Sequence, residues 1–200
     1  MLVAYTAFHA SVFAANYLLK GIIMTRLYQQ PVAEATGKAA QLFSVIKGAV
    51  GMVPNAYANI GNNSPLALEA ALTLDGVLRK SSLSGKQLEI VKLAVSEVAG
   101  CDYCLAAHTL FGKKAGLSKE AMLALRQGAA SGDAADDALA AFARSLVSTR
   151  GAVAPQVVEA VRAAGFSDQQ IVDTLLAISA ITFTNLFNRV NDTVLDFPAV

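Results

Sequence analysis

Apolar residues recur every three to four positions along nearly the whole chain, and no segment shows the alternation of a β-strand. Ser84 with Gln87, and Ser167 with Gln170, have the spacing of capping boxes that open helices. Glycines such as Gly100 follow the ends of apolar segments, where helices commonly stop. These signals predict helices at 31–49, 65–78, 84–98, 101–114, 118–128, 134–150, 155–165 and 167–191, with a loop at 51–64.

The helical pattern predicts one all-α domain over residues 24–200. Two hundred residues can bury a substantial core without help from disulfides or metals. The sequence contains no linker or low-complexity stretch that would separate a second domain. A single helical domain is therefore the predicted architecture.

Residues 1–23 differ from the rest of the chain. They carry one charge, Lys20, and no basic region precedes the apolar stretch as it would in a signal peptide. Polar residues such as His9 are spread through the segment, which argues against a membrane span. Three interpretations stay open: an upstream extension of the reading frame before Met24, an amphipathic helix, or a membrane anchor.

Composition narrows the possible partners. Lys and Arg number 16 against 15 Asp and Glu, for a net charge of +1, and no basic block favours nucleic acid. The chain is 54% hydrophobic and 16% charged, whereas about 25% charged is typical of soluble domains. So few charges predict buried subunit interfaces, and therefore a homo-oligomer.

The chemistry is concentrated in one short segment. Cys101, Cys104 and His108 open a predicted helix and fall within an arc of about 60°. His108 is one turn from Cys104 and can take its proton directly or through a water, and the free N–H groups of the helix start favour a thiolate. A Cys-x-x-Cys pair of this kind indicates a cytoplasmic dithiol redox centre.

Metal binding is the competing interpretation of the same residues. Cys101, Cys104 and His108 could supply three zinc ligands, with Glu89 as a carboxylate fourth. Covalent haem attachment needs a histidine directly after the second cysteine, and Leu105 stands there instead. The redox interpretation is favoured, so no metal and no organic cofactor are expected.

Beyond this motif, the chain resembles a known family. Glu89, an apolar helix containing Ser96, and then Gly-Cys-x-Tyr-Cys-x-x-x-His ending at His108 are similar to the AhpD-like alkylhydroperoxidase branch of the carboxymuconolactone decarboxylase family. Segments 51–55 and 63–69 resemble the upstream helices of that family. Segments 184–188 and 193–198 resemble its C-terminal signature.

The resemblance implies an AhpD-like helical fold, a trimer or hexamer, and catalytic roles for Cys101, Cys104, His108 and Glu89. Tyr103 departs from relatives that carry a histidine there; it is a packed or exposed ring, or a phenol bonded near the thiols. Ser96 is a further auxiliary candidate.

The expected reaction is reduction of a hydroperoxide by Cys104. Cys101 then forms a disulfide with Cys104, and an external dithiol reduces that disulfide. Spacing alone does not decide which cysteine attacks peroxide. A thiol-disulfide oxidoreductase or redox sensor without peroxidase turnover would carry the same residues. A lactone decarboxylase shares the fold but has no evident use for the cysteine pair.

Overall fold

The computed structural model describes residues 25–198, and within that range it contains nine α-helices and no β-strand. The predicted all-α class is therefore confirmed. Residues 1–23, including His9, lie outside the described range, so the interpretations of that segment stay predictions. The helices are α1 (Gly37–Val50), α2 (Asn55–Asn63), α3 (Pro65–Leu78), α4 (Gly85–Ala99), α5 (Asp102–Lys114), α6 (Lys119–Gln127), α7 (Ala134–Thr149), α8 (Pro155–Ala163) and α9 (Asp168–Asn191), after a short 3-10 turn at Val32–Glu34.

Both predicted capping boxes form. The Ser84 hydroxyl accepts the Gln87 backbone N–H at the start of α4, while the Gln87 side chain accepts the Ser84 N–H. Ser167 and Gln170 make the same reciprocal pair at the start of α9. These caps satisfy backbone donors that a helix start leaves unpaired, so the local sequence determines where both helices begin.

The predicted helix at 31–49 is interrupted. Thr36 has extended backbone angles, and Gly37 has a φ of +57°, in the left-handed region. A continuous right-handed helix cannot pass through that pair of conformations. The segment is therefore a 3-10 turn followed by α1, which begins six residues after Pro31.

The predicted loop at 51–64 was also wrong, because α2 occupies most of it. This helix is rich in asparagine, which has a poor helix propensity. Tertiary contacts stabilise it instead. Ile60 is fully buried, and the side-chain carboxylate of Asp196 accepts the N–H of Asn55 at 2.7 Å, capping the helix from 141 residues away.

Helix α4 lies at the centre of the molecule. It packs against α5, α6, α7 and α9, and seven of its fifteen residues are buried. Such all-round burial explains why its sequence is apolar on almost every face. A smaller core joins α1, α2 and α3 through Phe43, Ile60 and Leu68. The redox motif begins where α4 ends.

Helix α9 has two different faces. Its inner face packs on α4 and carries the buried polar residues Asn185, Asn188 and Asn191. By length and composition alone α9 could cross a membrane, a test that the core helices of soluble proteins also pass. Its outer face is apolar and exposed, with Val172, Leu175, Phe183, Leu186 and Val190 between 38% and 62% accessible.

We expect this outer face of α9 to be buried between copies of the chain. Light scattering should then give a multiple of 20.8 kDa, and Leu186→Glu should shift the mass toward the monomer, because a carboxylate resists burial in an apolar contact. Leu66→Glu, at an exposed apolar position of α3, is the matched control and should leave the mass unchanged. A wild-type mass of one chain would refute the prediction.

Candidate functional site

The two cysteines lie at the corner between α4 and α5. Gly100 ends α4 with a φ of +61°, a conformation that glycine adopts without steric cost. Cys101 then caps α5, and its sulfur accepts the N–H of Cys104 at 3.3 Å. The two residues form a disulfide with their Cα atoms 5.3 Å apart. The corner thus sets both sulfurs at a helix start.

Helix α9 holds this corner through the backbone. The Arg189 guanidinium donates to the carbonyls of Ala99 and Gly100, both at 2.6 Å, and so pairs two acceptors that the end of α4 leaves free. A Cβ on Gly100 would approach the Arg189 guanidinium to 2.6 Å. Arg189 therefore has a structural position behind the disulfide, and glycine leaves the space for it.

Helix α9 also reaches the site through two buried amides. The Ser96 hydroxyl donates to the Asn185 side-chain oxygen at 3.1 Å, and the Ser96 carbonyl accepts the N–H of Cys101. Asn188 donates a side-chain N–H to the sulfur of Cys104, with nitrogen and sulfur 3.4 Å apart. Ser96 thus links α4, α9 and Cys101.

His108 and Glu89 form a close pair on one wall of the site. His108 Nδ1 lies 2.7 Å from Glu89 Oε2, and the two side chains are 14% and 12% exposed. A carboxylate at Nδ1 holds the proton there, which leaves Nε2 as the basic nitrogen. The pair therefore has the arrangement of a base with its orienting carboxylate.

Glu89 stays ionised although it is buried. Burial by itself raises the pKa of this carboxyl group, but the charge and hydrogen bond of His108, followed by those of Lys92, outweigh it. The net pKa lies below the usual value. Lys92 Nζ lies 3.5 Å from Glu89 and 3.9 Å from Asp75, and Tyr57 donates its hydroxyl to Asp75 at 2.8 Å. Alternating charges thus continue along the wall behind His108.

Tyr103 is packed in the core, and its hydrogen bonds go to groups other than the cysteines. Its ring is buried, its hydroxyl accepts the N–H of Ala56 at 3.1 Å, and it donates to the carboxylate of Asp196 at 2.7 Å. Burial first, and then the Asp196 carboxylate, raises the pKa of the phenol well above its usual value. The interpretation as an exposed ring was therefore wrong: Tyr103 is a packed ring whose hydroxyl ties α2 and the C-terminal segment to α5.

A large cavity opens onto this arrangement. It has a volume of about 920 Å³, and Cys104, His108, Glu89, Lys92 and Tyr103 all line it, whereas Cys101 does not. Most of its wall is apolar and comes from α1, α3, α5, α9 and the C-terminal segment. Cys104, rather than Cys101, is therefore the cysteine that lines the space available to a ligand.

The four residues of the metal interpretation are paired with one another in this structure. Cys101 and Cys104 are bonded to each other, and Glu89 is paired with His108 and Lys92. Across residues 25–198, no group of three or more His, Cys, Asp or Glu side chains is arranged to hold a metal ion.

The structure adds residues that motif spacing did not indicate. Lys92 was not among the predicted site residues, while Asn188 and Asp196 entered only as members of the segments 184–188 and 193–198 that resemble a C-terminal signature. Their other sequence signals are weak: a lysine within a mostly apolar helix, and asparagines at the inner positions 185, 188 and 191 of an apolar helix. The partners of Asp196 lie far away in the chain, so its contacts could not be predicted.

Comparison with known proteins gives a family match over part of the chain and a shared fold over most of it. Residues 65–145 match the model of the carboxymuconolactone decarboxylase family. A peroxidase-related protein with an alkylhydroperoxidase AhpD core from Ralstonia eutropha JMP134 superposes with a TM-score of 0.78 at 18% identity, over 88% of this chain and 94% of that one. A peroxidase-related protein from Silicibacter sp. TM1040 gives 0.75 at 23% identity with the same coverage.

The debrominase Bmp8 is similar as well, with a TM-score of 0.69 at 17% identity over 88% of this chain and 93% of its own. None of the curated proteins matches significantly. At such identities the structural likeness establishes the fold, so the predicted AhpD-like helical fold is confirmed. The roles of the individual residues stay predictions.

The ionised Glu89 predicts an acid-dependent stability. A carboxyl group whose pKa is lower in the folded than in the unfolded protein stabilises the fold above its unfolded pKa, and this contribution is lost as the pH falls through the folded pKa. The unfolding free energy of the wild type should therefore fall as the pH drops below the usual 4.5 of this group. Glu89→Gln should flatten that dependence in urea titrations at several pH values. An unchanged pH slope would contradict the prediction.

Tyr103→Phe should lower stability while leaving the redox chemistry intact. It removes the hydroxyl that pairs with the Ala56 N–H and the Asp196 carboxylate, and an unpaired buried partner costs about 1–3 kcal/mol. Urea unfolding measures this loss, and the rate of disulfide reduction by a small dithiol checks the chemistry. Tyr28→Phe, at an exposed position, is the matched control. A lower rate of disulfide reduction at unchanged stability would contradict the prediction and indicate that Tyr103 takes part in the chemistry.

Proposed function

Because residues 65–145 match the model of the carboxymuconolactone decarboxylase family and the fold is AhpD-like, we propose that this protein is a thiol-dependent hydroperoxide reductase. One observation carries the proposal above the others. Cys104, which is bonded to Cys101, lines the cavity, and His108, one helical turn further along α5, lines the same cavity with its partner Glu89.

The first step is activation of Cys104 in the reduced protein. Glu89 holds the proton on Nδ1 of His108, so Nε2 accepts the thiol proton directly or through one water. The imidazolium that results is stabilised by the adjacent carboxylate, which is ionised before the reaction begins. Lys92 supports that ionisation from the other side.

The second step is transfer of oxygen to sulfur. The Cys104 thiolate attacks the terminal oxygen of a hydroperoxide, and the O–O bond breaks. Two electrons pass from sulfur to the peroxide, the alkoxide takes the proton held by His108 and leaves as an alcohol, and Cys104 becomes a sulfenic acid.

The third step closes and then reopens the disulfide. The Cys101 thiol attacks the Cys104 sulfenic acid, releasing water and forming the Cys101–Cys104 bond. An external dithiol donates two electrons and two protons, which returns both cysteines to thiols while the dithiol itself becomes a disulfide. The helix-start geometry supports this step, because it holds the two Cα atoms 5.3 Å apart.

The cavity supports an organic hydroperoxide as the substrate. A cavity of about 920 Å³ has room for a ligand of many heavy atoms, whereas hydrogen peroxide would occupy a small part of it. Its apolar wall would take up the organic group by removing it from water. We therefore propose a higher kcat/KM for cumene hydroperoxide than for hydrogen peroxide.

Turnover of hydroperoxide with a dithiol reductant tests the proposal. Cys104→Ser should abolish it, and His108→Gln and Glu89→Gln should each lower kcat/KM by about 10²–10⁴ through loss of the general base. Glu97→Gln is the matched control: it changes a carboxylate on the same helix α4 that pairs with Arg126 at 2.7 Å rather than with His108. It should retain wild-type turnover.

The same assay separates the alternatives. Reduction of the disulfide by dithiols without consumption of any hydroperoxide would contradict the proposal and favour a thiol-disulfide oxidoreductase or redox sensor. Carboxymuconolactone serves as a parallel substrate for lactone decarboxylation. A third is 2,3,4-tribromopyrrole, with which a variant of the debrominase Bmp8 forms a complex.

A further inference from the structure

We infer that Asn188 acts directly on the reacting sulfur: its side-chain amide is the hydrogen-bond donor that stabilises the thiolate of Cys104. The inference rests on the proposed function in one respect, the assignment of Cys104 as the thiol that attacks peroxide. It concerns how a sulfur almost closed off from water carries a negative charge.

The environment of Cys104 creates this problem. The residue is 2% exposed and belongs to the main apolar core. Burial of this kind disfavours a thiolate, because the anion loses its hydration. The N–H groups at the start of α5 favour the anion, but the one that is paired with sulfur, the N–H of Cys104, points to Cys101. Cys104 therefore needs another donor.

Asn188 supplies that donor from a different helix. Its side-chain nitrogen lies 3.4 Å from the Cys104 sulfur, a normal distance for a hydrogen bond to sulfur, and Asn188 itself is 5% exposed. A hydrogen bond to the charged form of a group favours that form, and in a dry site it is stronger than in water. A neutral amide does this without adding a second charge to the core.

The other end of the amide supports a chemical role. The side-chain oxygen of Asn188 is buried and has no hydrogen-bond partner among the described residues. An unpaired buried acceptor disfavours folding, and an apolar side chain of similar size would avoid that cost. The bond to sulfur is the one interaction made by this side chain that requires an amide.

The neighbouring interactions of α9 hold Asn188 in place. Asn185, one turn earlier, is bonded to Ser96, and Arg189, the next residue, is bonded to the carbonyls of Ala99 and Gly100. The same segment of α9 therefore contacts both the end of α4 and the start of α5. This leaves the amide of Asn188 little freedom to move away from the sulfur.

The test titrates Cys104 alone, in reduced protein that carries Cys101→Ser. The ultraviolet absorbance of the thiolate, followed against pH, gives the pKa of the remaining thiol. Adding Asn188→Ala should raise that pKa by about one unit, so that the thiolate fraction below it falls about tenfold. The charged groups around the corner, which are the His108–Glu89 pair and Arg189, are unchanged in both proteins.

Two further variants make the result specific. Asn191→Ala removes a buried amide of the same helix that bonds Leu27 and Thr193 and not sulfur, and it should leave the pKa of Cys104 near its starting value. Asn188→Asp keeps the shape of the side chain, covers the case in which the alanine variant does not fold, and should raise the pKa further because a carboxylate repels the thiolate.

The outcomes are distinguishable from those of the peroxidase assay. An unchanged pKa in both Asn188 variants, or an equal rise in Asn191→Ala, would overturn the inference whether or not the protein reduces hydroperoxides. If turnover is present, the acidic limb of kcat/KM should move to higher pH in Asn188→Ala by the same amount as the thiol pKa. A uniform loss of rate with an unmoved profile would overturn the inference and indicate a packing role instead.

Discussion

The site depends on the way helix α9 holds the corner at Gly100. That corner joins the central helix, α4, to the helix that carries both Cys104 and His108. A corner of this kind leaves carbonyl groups unpaired at the end of one helix and N–H groups unpaired at the start of the next. Arg189 pairs the carbonyls of Ala99 and Gly100, while the sulfur of Cys101 accepts one of the N–H groups. The disulfide therefore lies on a backbone in which these three polar groups are paired.

The second constraint is electrostatic. Glu89, His108, Lys92 and Asp75 are largely withdrawn from water, where an isolated charge would be strongly disfavoured. Each lies beside a partner of opposite or complementary charge, and this alternation allows the carboxylate of Glu89 to stay ionised. A carboxylate that is already ionised can orient an imidazole without waiting for its own proton to leave. The proposed proton transfer from Cys104 depends on that arrangement.

The two faces of α9 separate the chemistry from the proposed assembly. Its inner face meets the redox corner through amides and a guanidinium, whereas its outer face is apolar and open. Phe183 is exposed on α9 and also lines the cavity. Packing of a second copy on α9 would therefore bring it close to one wall of the cavity, so assembly and ligand access share part of the same surface.

The features that arise from interactions between residues close together in the chain could be predicted from the sequence alone. Capping residues marked the starts of α4 and α9, and the placement of Cys101, Cys104 and His108 on one face at the start of a helix followed from their spacing alone. Local hydrogen bonds and helical periodicity involve residues within a few positions, so they can be read directly. The same reasoning predicted an all-α fold, and the motif that ends at His108 resembles that of the carboxymuconolactone decarboxylase family.

The remaining features of the fold and the site depend on contacts between distant segments of the chain. Helix α2 exists because Asp196 caps it and Ile60 is buried, although its asparagines disfavour a helix. The hydrogen bonds of the Tyr103 hydroxyl, the contact of Asn188 with the Cys104 sulfur, and the place of Cys104 in the cavity wall likewise join residues that are tens of positions apart or more. Such contacts depend on how the helices pack together, and the periodicity of each helix carries no information about which polar groups that packing will bring into contact.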